Sequence, residues 1–240
     1  IIFFWPVILG GNWHIPQAGG DLESFIWPTY RFAAKSIHSG TLPLWNPYLY
    51  SGSPYASDNQ SGLFYPPNLL LALFPDVSYR AIEWLVILHV FIAGAGMYYA
   101  ARSQHRCTSI YPPLAAALAF QFSSIFVTHV GNLNIIASAS YLPWAWFFMK
   151  RLRDTQTIKS ASIAAIPLSL SIFSGHAQIS LIVCIAIFTY SVWHLKDSNH
   201  KIKWLVLITY TAVLTIGLSA IFVLPSIEMS QYTHRASYTY

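Results

Sequence analysis

The stretch from Trp204 to Pro225 runs for 22 residues without one Asp, Glu, Lys or Arg. At about 1.5 Å per residue, a helix of that length spans the roughly 30 Å hydrocarbon core of a bilayer. Further apolar segments cover Ala81 to Ala101, Ile110 to Val130, Ile135 to Met149, Ser160 to Ser174 and Ile179 to Leu195. Only 9% of the residues are charged and 55% are hydrophobic, against about a quarter charged in an ordinary soluble domain. So few polar side chains cannot cover a water-facing surface, and so much apolar surface does not stay disordered. The chain therefore reads as all-α and polytopic, a transmembrane helical bundle, because helices satisfy their own backbone in lipid.

The loops sort by charge. Arg102, Arg106, Lys150, Arg151, Arg153, Lys159, Lys196, Lys201 and Lys203 fall in three short loops, which holds 9 of the 13 basic residues. The other set comprises residues 10 to 80, the tips 131 to 134 and 175 to 178, and the tail 226 to 240. It carries only Arg31, Lys35, Arg80 and Arg235, with Asp21, Glu23, Asp58, Asp76, Glu83 and Glu228 in or beside it. Basic loops face the cytoplasm, so the second set faces outward. The net charge of +5 is scattered over separate loops, which gives no basic face for nucleic acid. Cys107 and Cys184 lie in a cytoplasmic loop and a helix, so neither a disulfide nor thiol chemistry is expected.

The first apolar run ends at Leu9 and reads as the remainder of a truncated first helix, residues 1 to 9. A signal peptide is the weaker reading, since no basic region precedes the run and Gly10-Gly11-Asn12 is a poor cleavage site. Ile135 to Met149 and Ser160 to Ser174 count 15 residues each, about 22 Å of helix against a core of about 30 Å. The outward tips beside them are therefore expected below the membrane surface, lining a cavity that opens outward; two ordinary turns are the alternative.

The outward loop between Gly10 and Arg80 is far longer than usual connections, and such loops are either functional or disordered. Leu22 to His38 places apolar and aromatic residues at helical spacing with Arg31, Lys35 and His38 on the polar side. That predicts a helix lying in the interface plane and ended by Gly40. Pro- and Gly-set turns follow, studded with aromatics. The chain has no internal repeat, phosphate-binding glycine loop, zinc-type spacing or nucleophile elbow. Its helices also lack the buried charge series of a proton relay.

Asp21-Leu22-Glu23 at the head of the interfacial helix is the leading constellation for chemistry. A carboxylate there can take a proton from an acceptor hydroxyl or hold a divalent cation that neutralises a departing phosphate. Asp21 also fits a plain helix N-cap. His176 and Gln178 form a second candidate, the first donating to a phosphate oxygen and the second to a sugar hydroxyl. His129, Asn132 and Asn134 would line the same space if the two hairpins pack together. Arg235 has the geometry to hold a phosphate bidentately with Glu228 beside it, or the two form a surface pair.

Gly20-Asp21-Leu22 with Pro28, Ser39-Gly40-Thr41-Leu42-Pro43-Leu44-Trp45-Asn46-Pro47, Ser51-Gly52-Ser53-Pro54 and Phe64-Tyr65-Pro66-Pro67-Asn68 resemble the first outward loop of the bacterial YfhO membrane protein family. Gly175-His176-Ala177-Gln178, Leu224-Pro225, Glu228 and Arg235 are similar to later landmarks of that family. The resemblance implies a fold like that of the GT-C superfamily of polytopic glycosyltransferases. It further implies a polyprenyl-phosphate sugar donor, a cell-envelope glycan or glycopolymer acceptor, and transfer on the outer face. On that reading Asp21 and Glu23 are catalytic, with Asp21 a possible ligand for a divalent cation. Trp45, Asn46, Tyr65, Asn132, His176, Gln178, Glu228 and Arg235 bind substrate. Two rival functions use the same residues differently. A transporter or flippase for lipid-linked glycan needs the cavity without Asp21 as base, and a non-catalytic envelope assembly protein presents the long loop to a partner.

Overall fold

The computed structural model describes residues 3–10, 13–15, 21–104, 109–196 and 200–232. Helix dominates throughout. Helix α1 (Trp5–Leu9) precedes a π-helical turn, Leu22–Ile26, which runs directly into α2 (Trp27–His38). The loop then forms a short antiparallel ladder of β1 (Trp45–Asn46) on β2 (Ser53–Pro54), and α3 (Pro66–Leu71) closes it. Eight more helices follow: α4 (Tyr79–Gln104), α5 (Tyr111–Gln121), α6 (Ser124–Thr128), α7 (Leu133–Ser140), α8 (Leu142–Thr155), α9 (Ile158–Phe173), α10 (Ala177–Trp193) and α11 (Lys201–Ser230).

The helix expected over 22 to 38 is present as the π-helical turn and α2, and it ends as its sequence dictates. Gly40 takes φ +77°, its N–H bonds to Ile37 O and the Thr41 N–H to Ser36 O. This is the paired closure of a Schellman motif, which needs the left-handed residue glycine supplies. The segment expected over 135 to 149 is instead two helices separated at Tyr141. Pro143 stands at the second position of α8, where its missing N–H fits the first turn of a new helix. The segment expected over 110 to 130 is also divided, with Ser123 extended between α5 and α6.

Among the described residues, three stretches are long and apolar enough to cross a membrane: Tyr79–Gln104, Tyr111–Thr128 and Lys201–Ser230. Their outer faces are apolar, as Phe91, Leu114, Val213, Ile216 and Leu224 all lie exposed. The inner face of α11 is a stripe of Trp204, Leu207, Thr211, Thr215, Ser219 and Phe222, buried at helical spacing. Small polar residues let the other helices approach closely: Ser171 donates to Ser138 O, and Ser180 to Ser171 O.

Two ends of the bundle differ in chemistry. Helix α9 starts at the basic turn after α8 and finishes at the Gly175 tip, where α10 begins. At the basic end, Arg153 donates to the His194 ring at 3.2 Å, joining the last turn of α8 to the end of α10. At the other end the long loop packs onto the helix tips. Ser226 of α11 donates to Ser57 O at 3.0 Å, and Arg80 reaches Val7 O at 2.6 Å. Glu83, fully buried, accepts from the Ile15 N–H at 2.7 Å and pairs with Arg80 at 3.1 Å. These bonds pin segment 13–15 against α4.

Candidate functional site

Asp21 stands immediately before the π-helical turn, and its side chain makes no capping bond. The plain N-cap reading therefore does not describe it. The turn is widened by a bond from the Trp27 N–H to Leu22 O, the i to i+5 spacing that recurs at functional sites. Pro28, next in line, has no N–H to continue a regular helix. Leu22 and Ile26 anchor the turn in the core while Asp21 and Glu23 stay exposed.

Asp21 Oδ2 accepts a hydrogen bond from Asn132 Nδ2 at 2.9 Å, across 111 residues of sequence. Asn132 is held by its own tight turn, its N–H donating to His129 O at 2.8 Å. Two residues on, buried Asn134 donates to Gln60 O at 2.9 Å and accepts from the Tyr30 hydroxyl. Gln60 sits in a turn over Asn59–Ser61 that Asp58 caps, Oδ1 accepting the Gln60 N–H at 2.9 Å. Burial pushes the Asp58 carboxyl above its ordinary value, and the Gln60 N–H offsets part of that rise.

The second tip arrives at the same place. Gly175 has φ +86°, and a Cβ built there would lie 2.5 Å from Asn59 O. Only glycine brings the tip this close to the loop. His176, next along, caps α10 by accepting the Ile179 N–H on Nδ1 at 3.2 Å. That bond fixes the neutral tautomer with the proton on Nε2. Burial lowers the His176 pKa, and His129 close by adds to the lowering.

Asp21, Gln60, Asn132, Asn134 and His176 thus line one cavity of about 50 Å³. A space this size admits a few water molecules, not a hexose. The other sequence-predicted residues lie elsewhere. Glu23 and Gln178 are exposed and do not line the cavity. Trp45 lies exposed in β1. Asn46 is buried, accepts the Tyr48 N–H at 3.0 Å and lines a separate cleft. Tyr65 is buried at 1% exposure, its hydroxyl bonded to Tyr141 at 2.6 Å and to the His89 ring; it supports the floor beneath the loop. Glu228 is exposed on the last turn of α11, and Arg235 lies outside the described residues.

Gln60 is the cavity residue that sequence reasoning missed, and no motif marks it. Its role comes from a backbone carbonyl meeting Asn134, a pairing of chain positions 74 apart. No group of three or more His, Cys, Asp or Glu among the described residues could hold a metal ion. Asp21 brings a single carboxylate that already accepts from an amide, so the residues present do not make a divalent-cation site by themselves. Compared with family models, curated proteins and solved structures, the chain matches none.

Proposed function

We propose that the chain belongs to a GT-C-like glycosyltransferase of the bacterial cytoplasmic membrane, related to the YfhO family. It would move a sugar from a polyprenyl-phosphate donor to a cell-envelope glycan acceptor on the outer face. The observation that carries this reading is the meeting of Asp21 with the Asn132 and His176 tips in one cavity, at the end away from the basic turns. On the positive-inside rule that end faces outward. Helices α9 and α10 have 16 and 17 residues, about 24 and 26 Å against a core of about 30 Å, which favours a tip recessed below the surface.

In the proposed reaction the acceptor oxygen attacks the anomeric carbon as Asp21 Oδ takes its proton. The bond from that carbon to the phosphate oxygen breaks, and the phosphate leaves with its electron pair. The Asn132 amide holds the carboxylate in place, and His176 Nε2–H donates to the departing oxygen. The cavity is smaller than a hexose, so the sugar reacts at its mouth or the tips separate to admit it.

Asp21→Asn is the informative variant. The new side chain keeps an oxygen to accept from Asn132 and loses only the charge, so expression and folding should survive. Sugar transfer from polyprenyl phosphate, measured in membranes with the full-length protein, should fall by about 10²–10⁴. Equal transfer by wild type and variant removes Asp21 from the chemistry. Transfer by neither protein refutes the transferase reading.

A further inference from the structure

A cleft larger than the cavity at Asp21 lies along α2 and the turn before it. One stripe of the interfacial helix, Ser24, Pro28, Arg31 and Lys35, faces a cleft of about 390 Å³ whose far wall is Tyr48 and Leu49. The spacing of four, three and four residues keeps these side chains on one face, while Tyr30, Ala33 and Ala34 of the opposite face are buried in the core. Phe25, Trp27 and Phe32 supply apolar lining.

The cleft carries a net positive charge. Arg31 donates from Nε and Nη2 to the two oxygens of Asp76, with its guanidinium 5.7 Å from the Trp27 ring centroid. Its Nη1 is left for another acceptor. Lys35, one turn further, is exposed and makes no hydrogen bond or ion pair among the described residues. Two cations face one carboxylate, so an anion is favoured at this spot.

The far wall is a built structure. Tyr55 N–H bonds to Leu44 O at 2.8 Å, Asn46 fixes Tyr48, and the Tyr48 ring meets Phe32 edge-on at 6.1 Å. Tyr50 and Ser51 both take left-handed backbone, φ 51° and 63°, which costs side-chain-bearing residues about 1 kcal/mol or more each. The conformation presents Leu42, Leu44, Trp45, Tyr48 and Tyr50 to the outside, the two tyrosines 85% and 86% exposed. Exposed Trp, Tyr and Leu side chains gathered on one short loop suit the level of lipid headgroups.

From these features together we propose that the cleft binds the headgroup of an anionic phospholipid, its phosphate on Lys35 Nζ and Arg31 Nη1 and its glycerol and first methylenes against Phe25, Phe32 and Leu49. The site rests on the membrane placement above and is independent of sugar transfer. A phosphatidylcholine would bring a cation against Arg31 and Lys35, so the cleft should discriminate by net headgroup charge.

The test uses the purified full-length protein in phosphatidylcholine nanodiscs, titrated with phosphatidylglycerol, with bound lipid counted by native mass spectrometry. Wild type should retain phosphatidylglycerol over phosphatidylcholine. Lys35→Gln, which breaks no bond in the fold, should cut that preference about five-fold, the worth of one lysine near a charged lipid surface. Lys35→Arg and the remote Lys159→Gln should leave it unchanged. Equal retention of the two lipids, or an unaltered preference in Lys35→Gln, overturns the proposal. So does displacement of the lipid by millimolar inorganic phosphate, which would identify a free-phosphate site.

Discussion

Gly175 and Gly40 make a matched pair of substitutions that tests how the candidate site is assembled. Both glycines have left-handed backbone, φ +86° and +77°, but a Cβ at Gly40 meets nothing within 4 Å while one at Gly175 comes within 2.5 Å of Asn59 O. Gly40→Ala should therefore pay only the left-handed cost, about 1–2 kcal/mol. Gly175→Ala pays the same and also forces a backbone carbonyl aside, a further cost of about 1–3 kcal/mol by analogy with overpacking. For a chain of this size 1 kcal/mol lowers the melting temperature by about 2–4 °C. Thermal unfolding of the detergent-purified protein should thus drop by about 2–8 °C for Gly40→Ala and by about 4–20 °C for Gly175→Ala. The difference between the two isolates the contact of the α10 tip with the loop. If Gly175→Ala is no less stable than Gly40→Ala, the tip does not lie against Asn59, and the convergence of His176 with Asp21 loses its support.

Two further outcomes follow from the polar contacts. The folded-state pKa of His176 is lowered, so below about 6.5 the unfolded chain takes up a proton that the native tip refuses. Stability should be full above that pH and decline as pH falls toward the lower folded value. His176→Asn, which keeps an N-cap acceptor, should flatten the melting temperature between pH 7 and 5; an unchanged slope would assign the pH dependence to another group. Glu83→Ala removes the acceptor of the buried Ile15 N–H and the partner of half-exposed Arg80. It should cost about 2–4 kcal/mol and expose residues 13–15 to limited proteolysis at concentrations that spare the wild type, whereas equal resistance would show that the segment is held by packing alone.

Much of the architecture was legible because it depends on neighbours in sequence. Lipid burial follows from runs such as Trp204 to Pro225, where no partner is needed to decide that side chains without charge leave water. Helix α2 could be placed from its periodicity, and its end from Gly40, since a Schellman closure is a local event. The division at Tyr141 falls beside Pro143, which suits the first turn of a helix. Pro167 and Pro225 sit inside the undivided α9 and α11, so a proline by itself did not fix where a helix divides.

The candidate site is different in kind. Sequence supplied Asp21, Asn132 and His176 as isolated polar residues beside apolar segments, each open to a bland reading as a cap or a turn. Only the tertiary structure decided between those readings. It shows Asp21 without a capping bond and holding Asn132 instead, while His176 does cap its helix and still lines the cavity. Tyr65 looked like its neighbours in an aromatic loop, yet it is locked beneath the surface by His89 and Tyr141. Gln60 carried no signal at all. Solvation and backbone propensity act residue by residue and can be read along the chain. A cavity is made by side chains that are distant in sequence and close in space, and their proximity is set by how helices and loop pack, which no local pattern encodes.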